Sequence, residues 1–263
     1  MASTIAILSQ KGGTGKTTAV RTLADVLSRS GLRVLAVDLD PQGNLSDYLD
    51  VPPEAQPTVA DVLAGAAELA EAIHGDVVPA NLSLAEAELA LGGKIGRELT
   101  LRRALAQVPA QYDIVLLDCP PSLGLLTVNA LVAADWALIT AEAQYFALQG
   151  VEQAMQVLEV ARDSLNPSLA LLGVLLNLAD MRTIHSREAL ASLQERFGEK
   201  VFASVIRSSI AYAESAERAT SILNHRPDLG TDYIALASEV LARLGNFEQA
   251  ASRIASISRQ AVE

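Results

Sequence analysis

Cysteine is nearly absent. Cys119 is the only one in 263 residues, which excludes an internal disulfide and leaves a Cys-rich metal or iron–sulfur centre without ligands in a single chain. A reducing cytoplasm is the expected setting. Aromatics make up only 4%, so the core must be built from Ala, Leu, Val and Ile, as expected of helices packed on a parallel sheet rather than of a β-sandwich. Long apolar runs are missing as well. The longest, near residues 169–176, is strand-sized and well below the ~20 residues of a membrane span. The short run at 5–8 follows no positive charge, unlike a secretory leader. Histidine is limited to His74, His185 and His225, without ligand spacing, so none is assigned to a metal. Lysine is scarce, with four residues against sixteen arginines, and two of the four are Lys11 and Lys16.

What is present reads as a folded globular chain: 50% hydrophobic, 19% charged and a mean hydropathy of +0.27 rule out disorder and low complexity. A net charge of −11 argues at first against a nucleic-acid partner. Its distribution changes that reading, because residues 1–180 carry 10 basic and 21 acidic side chains whereas 181–263 carry 10 of each. A local basic face is compatible with the last third.

Strand and helix patterns alternate along the chain. Buried strands are expected at 4–9, 32–38, 113–118, 136–141 and 169–176, with a return to the sheet at 76–83. Helices are expected at 16–30, 98–107, 122–134, 148–165, 186–197 and 232–244, and short helical pieces at 58–73. Gly31 supplies the left-handed stop of the first helix. The implied fold is a single α/β domain over 1–245, a mostly parallel sheet of at least six strands with helices on both faces and right-handed crossovers. A weakly helical tail is expected over 246–263.

The strongest motif is Ser9-Gln10-Lys11-Gly12-Gly13-Thr14-Gly15-Lys16-Thr17-Thr18, set between a hydrophobic strand and a helix. Glycines let backbone N–H groups curl around phosphate oxygens, Lys16 can reach the β and γ phosphates, and Thr17 offers a hydroxyl to Mg²⁺. This is a P-loop with Lys11 added where a loop glycine has been replaced by Gln10. Asp38-Leu39-Asp40-Pro41-Gln42-Gly43-Asn44 ends the second strand, where open α/β sheets gather ligands, and an acid there can hold Mg²⁺ waters or orient the attacking water. Asp118 ends a further strand in the Walker B arrangement, as a Mg²⁺ ligand through water. Cys119 beside it reads as a small buried residue.

These stretches, with Asp118-Cys119-Pro120-Pro121-Ser122-Leu123-Gly124, Asn129-Ala130-Leu131 and Ala141-Glu142-Ala143-Gln144-Tyr145, resemble the ParA-type (Soj-like) partitioning ATPases of the deviant Walker A class, over about residues 3–244. The resemblance implies a slow, Mg²⁺-dependent, partner-stimulated ATP hydrolase that sandwiches ATP between two subunits. It implies that Lys11 reaches across the dimer to the facing nucleotide, that Asp40 supports hydrolysis and joins Thr17 and Asp118 around Mg²⁺, and that residues 11–18 hold the phosphates. Asn177 matches a position that hydrogen-bonds adenine in related ATPases; a turn cap is the alternative. The implied partners are a second copy, nonspecific DNA and a ParB-type protein, in the cytoplasm on the nucleoid and away from membranes.

For DNA contact, Met181-Arg182-Thr183 fits a family arginine, whereas the later arginine position falls on Ile210 or Ala211. Either Arg187, Arg207 and Arg218 compensate or DNA binding is weak. Two competing readings share the loop. A MinD-like membrane ATPase needs a basic amphipathic tail with bulky apolar anchors, and residues 247–263 are mostly Ala and Ser with no Lys. An ATP-dependent small-molecule ligase needs a substrate site that the sequence does not display.

Overall fold

The computed structural model describes residues 2–144 and 146–260. Tyr145, part of the family-like stretch above, and residues 261–263 of the expected tail lie outside the described residues. Six strands form one sheet: β1 (Ser3–Leu8), β2 (Val34–Asp38), β3 (Val77–Val78), β4 (Ile114–Asp118), β5 (Trp136–Glu142) and β6 (Ala170–Asn177), in the order β3-β2-β4-β1-β5-β6. Every pairing between them is parallel. Single parallel bridges from Val174 to Val201 and from Ala179 to Arg207 lay the 201–207 segment alongside β6.

The helices are α1 (Lys16–Arg29), α2 (Asn44–Tyr48), α3 (Val59–Ala64), α4 (Ser83–Leu91), α5 (Thr100–Leu105), α6 (Leu125–Ala133), α7 (Ala147–Ser164), α8 (Ile184–Phe197), α9 (Ala211–Glu217), α10 (Ile222–His225), α11 (Pro227–Leu244) and α12 (Glu248–Gln260). They divide between the two faces of the sheet. Alternate residues of each strand point to opposite sides, so Leu8, Val37, Leu117 and Ile139 pack in one core under α3 to α8, while Ile7, Ala36, Leu116 and Leu138 pack in the other under α1, α11 and α12. Burial on both faces is why the strands read as continuous apolar runs.

The sheet positions the site through its polarity and register. Asp38 of β2 lies directly opposite Asp118 of β4, and Asp118 opposite Ile7 of β1. The C-terminal ends of the three central strands therefore open onto one rim, where the P-loop leaves β1. α1 begins at Lys16 and ends in a hydrogen-bonded stop: Leu32 N–H reaches Leu27 O at 3.2 Å, Gly31 N–H reaches Ser28 O at 2.9 Å, and Gly31 has φ +90°. The tail differs from a loose appendage. α12 buries Ala250 and Ile254 in the second core, and Arg253 donates to Ser30 O at 3.2 Å.

Candidate nucleotide site

The first turn of α1 has no side-chain cap, and its N-cap is Gly15 in the left-handed region at φ +77°. The N–H groups at that end are thus free for a ligand and carry the positive end of the helix dipole. Gly15 is required on two grounds. Its φ disfavours an L side chain, and a Cβ there would stand 2.4 Å from Asn177 Nδ2. Gly12 and Gly13 are exposed at the mouth beside Lys11, and Thr17 and Thr18 are half-buried on the first turn.

The loop is locked to the sheet by hydroxyls. Thr14 Oγ1 donates to Ser9 Oγ at 2.9 Å and lies 3.1 Å from Thr140 Oγ1 on β5. Lys16 is buried and donates Nζ to Ser9 Oγ at 2.9 Å and to Lys11 O at 3.3 Å, which folds it under the loop. Burial lowers the Lys16 pKa below the ordinary lysine range, opposed by the charges of Asp118, Cys119 and Asp40. The Lys11 ammonium stands exposed with no ion pair or hydrogen bond among the described residues.

The carboxylates differ in their partners. Asp38 accepts Asp40 N–H at 3.0 Å on one oxygen, and Ser46 N–H at 3.0 Å and Ser46 Oγ at 2.8 Å on the other. Burial nevertheless pushes its pKa up to about 6, opposed by those bonds. Asp40 accepts Gln42 N–H at 3.0 Å and is 8% exposed, at the edge of the rim. Asp118 is fully buried, and neither of its oxygens has a hydrogen-bond partner. Burial, with the Asp38 charge, raises its pKa well above the carboxylate range; Thr17 and Lys16 pull it back, Thr17 without a hydrogen bond of good geometry. The Cys119 thiol is buried and shifted upward by burial, which suits a packing residue and not a nucleophile.

A buried lysine and a buried, unbonded aspartate, each pushed toward its neutral form, are a fit for two absent charges: a phosphate for Lys16 and a cation for Asp118. Thr17, Asp118 and Asp40 are the residues available to Mg²⁺, which takes few protein oxygens and fills its shell with water and phosphate. Among the described residues no group of three or more His, Cys, Asp or Glu is arranged to hold a metal by itself.

Asn177 takes a different place from an open adenine ligand. It is 1% exposed, donates Nδ2 to Thr14 O at 2.9 Å and Gly15 O at 3.3 Å, and accepts Leu178 N–H at 2.9 Å. These bonds aim its Nδ2 at the loop carbonyls and its Oδ1 at its own turn, so it braces the P-loop from β6. Ser46, on α2, and Thr140, inside β5, were not singled out by sequence, because a single hydroxyl within an element carries no local signal of its contacts.

The arginines are brought together in part. Arg182 is 91% exposed and forms a fork with Asp180, Nε to Oδ1 at 2.9 Å and Nη2 to Oδ2 at 2.8 Å. Arg187 donates to Arg182 O at 3.1 Å and Met181 O at 3.3 Å, adjoining it. Arg207, bridged to Ala179, pairs with Asp232 at 2.9 Å. Arg218 lies apart from this group. It follows α9 where that helix meets α2, and its neighbour Ala219 lines a cleft with Tyr48 and Asp76 near the β3 edge.

A sheet that delivers a phosphate loop and two strand-end carboxylates to one rim is the architecture of P-loop nucleoside triphosphatases, and the fold and site assign the chain to that class. The AAA domain family model (AAA_31) matches residues 2–171. The sporulation initiation inhibitor protein Soj of Bacillus subtilis is 38% identical over 251 residues, 92% of this chain and 99% of its own length. The chromosome partitioning protein ParA of Caulobacter vibrioides is 39% identical over 252 residues, 91% of this chain and 94% of its own. A crystal structure from Mycobacterium smegmatis, described as cobyrinic acid a,c-diamide synthase with bound ADP and magnesium, has a TM-score of 0.76 and 38% identity, covering 86% of this chain and 95% of that one. The chain belongs to the ParA/Soj family of partitioning ATPases.

Proposed function

We propose that the chain is an ATP- and Mg²⁺-dependent ATPase that dimerises around ATP, binds DNA without sequence preference as a dimer, and segregates or positions chromosome or plasmid DNA with a ParB-type partner on the nucleoid in the cytoplasm. The observation that carries this reading is the buried Lys16 and Asp118, neither in a direct ion pair among the described residues and Asp118 without a hydrogen bond, at the N-terminus of an uncapped α1. Lys16 and the N–H groups of residues 12–18 hold the β and γ phosphates. Thr17, Asp40 and Asp118 are the residues that would hold Mg²⁺, which would supply neutralisation of phosphate charge when bound. Asp40, less buried than Asp38 and Asp118, orients the attacking water. Among the described residues the rim offers carboxylates and no histidine as a base, which accords with slow turnover until DNA and partner are present.

The exposed Lys11 ammonium is free to reach the γ-phosphate of a facing subunit. Arg182, Arg187 and Arg207 supply a modest basic patch, which two copies on one face convert into avidity. A MinD-like membrane reading needs the apolar side of the tail free, whereas Ala250 and Ile254 of α12 pack in the core.

The test is ATP turnover with and without Mg²⁺. Lys16→Ala loses nucleotide binding, whereas Asp40→Ala retains ATP and hydrolyses it poorly; undiminished turnover in Asp40→Ala removes that residue from the mechanism. A synthase, the activity named for the M. smegmatis protein, would instead turn over ATP only with an acceptor molecule. DNA-stimulated hydrolysis with no acceptor present separates the two.

A further inference from the structure

A second cleft, of about 390 Å³, shares no residue with the phosphate loop and opens between α1, α2, the turn before β3 and the 219–222 segment. Its walls include Val34, Ala36, Leu49, Val77 and Ile222, and its charged lining is one cation, Arg21, against Asp25, Asp50 and Asp76. Arg21 is the anomaly. It is 8% exposed, yet among the described residues its guanidinium makes one hydrogen bond, Nη1 to Ser215 Oγ at 3.5 Å, besides lying 5.6 Å from the centre of the Tyr48 ring. Asp25, one turn along α1, is committed elsewhere, to Arg29 at 2.9 Å and to the Ser221 hydroxyl. Burial depresses the Arg21 pKa, and Asp25 and Tyr48 oppose that only through space.

A buried guanidinium with most of its N–H donors unused is costly, and it is matched by an anion that fills the fork. The rest of the cleft narrows the class of that anion. One cation among three carboxylates repels a polyanion such as a phosphate ester or citrate. The apolar walls suit a short carbon body, and the exposed Asp50 and Asp76 at the rim suit a cationic nitrogen. We propose that this cleft binds a small amphoteric carboxylate of the free amino-acid class, its carboxylate on Arg21 beside Tyr48 and its ammonium toward Asp50 and Asp76. Arg21 stands on the helix that starts at Lys16, and Tyr48 ends the helix that follows the Asp40 loop, so an occupant touches both elements that carry the nucleotide site. The binding itself does not depend on the nucleotide reading.

The experiment titrates the full chain, without nucleotide, with each of the common L-amino acids, and with inorganic phosphate and citrate, following thermal shift and ¹H–¹⁵N spectra. At least one amino acid saturates and raises the melting temperature with concentration, shifting resonances of α1 and α2, and the two polyanions do not. The same carbon body with hydrogen in place of the ammonium binds roughly tenfold more weakly, the size expected for one charge-assisted contact. Arg21→Leu abolishes saturation. Asp50→Asn, at an exposed position where folding is not at stake, removes the preference for the amino acid over its des-amino analogue. No saturable binding by any amino acid, binding unchanged in Arg21→Leu that still melts cooperatively, a preference unchanged in Asp50→Asn, or tighter binding of citrate overturns the proposal.

Discussion

At the scale of single residues, the site is defined by ionisable groups held away from water. Asp38 gives this a pH signature. Its pKa in the folded chain is about 6 against an ordinary 3.8, with burial the main cause. A group raised in this way binds more protons folded than unfolded, so its contribution is fully present below about pH 4 and is lost as pH rises through 6. In the nucleotide-free protein, the stability of the parent minus that of Asp38→Asn should therefore fall by a few kcal/mol between pH 4 and 7, on the order set by a two-unit shift. Urea denaturation across that range checks it, and a constant difference contradicts it. Asn also loses one acceptor facing Ser46, so the variant is less stable in absolute terms; the pH slope is the informative quantity.

Asp180 and Arg182 make a second prediction at this scale. The fork holds the Asp180 carboxyl down to about 2, with the Arg182 side chain the first cause, so at neutral pH Arg182 meets any phosphate already neutralised. The pair is exposed and therefore weak. Asp180→Asn should strengthen DNA binding by the ATP-bound protein several-fold. Arg182→Ala should weaken it and flatten the slope of log K against log salt by about two, one phosphate contact in each subunit. Anisotropy titrations over a salt series measure both, and equal slopes in parent and Arg182→Ala would take Arg182 out of the interface.

At the scale of elements, α12 is a structural member of the fold. Ile254 is 1% exposed in the core shared with α1 and α11, so Ile254→Ala should cost about 2–4 kcal/mol by removing buried methyl groups and leaving a cavity, seen as a lower urea midpoint. A loss below about 0.5 kcal/mol, the range of ordinary surface changes, would mean the helix is not docked. Sequence patterning read the longer elements well because both faces of the sheet are covered, so the strands appear as apolar runs and α1, α7 and α8 carry a clear helical stripe. It read short elements poorly. α4 buries only Leu84 and Leu91 while Leu89 is 81% exposed, so its apolar residues show no usable period. α2 and α9 span 5 and 7 residues, too short for periodicity to register. α11 starts earlier than its apolar pattern, at Pro227, because proline is suited to the first helical turn.

The same division applies to the site. Lys16 and Thr17 were legible because a strand–loop–helix places them by sequence alone, and Asp40 and Asp118 because each ends or closely follows an apolar strand. Asn177 as a loop brace, the Ser46 bonds to Asp38, and the separation of Arg218 from Arg182 depend on how distant segments pack, which local spacing does not encode. The Arg182–Asp180 fork is only two positions long, yet side-chain direction decided it rather than residue type.

At the scale of the whole molecule, the parallel sheet acts as a rigid frame, with the nucleotide rim at the ends of β1, β2 and β4 and the arginine patch beyond β6. Neither side is strong alone. The chain is acidic overall, at −11, and its exposed arginines are partly paired, so weak DNA binding is expected of one copy. Lys11→Ala should still bind ATP but remain a monomer by size, since each γ-phosphate loses its cation from the opposite subunit; a dimer as stable as the parent's makes Lys11 an ordinary surface residue. Dimerisation is what couples nucleotide to DNA in this account. The most direct test is the affinity of Asp40→Ala, expected to hold ATP unhydrolysed, for duplex DNA with ATP and with ADP at one salt concentration. The account predicts firm binding with ATP and little with ADP, independent of base sequence. Equal binding in both nucleotides, or none in either, contradicts it.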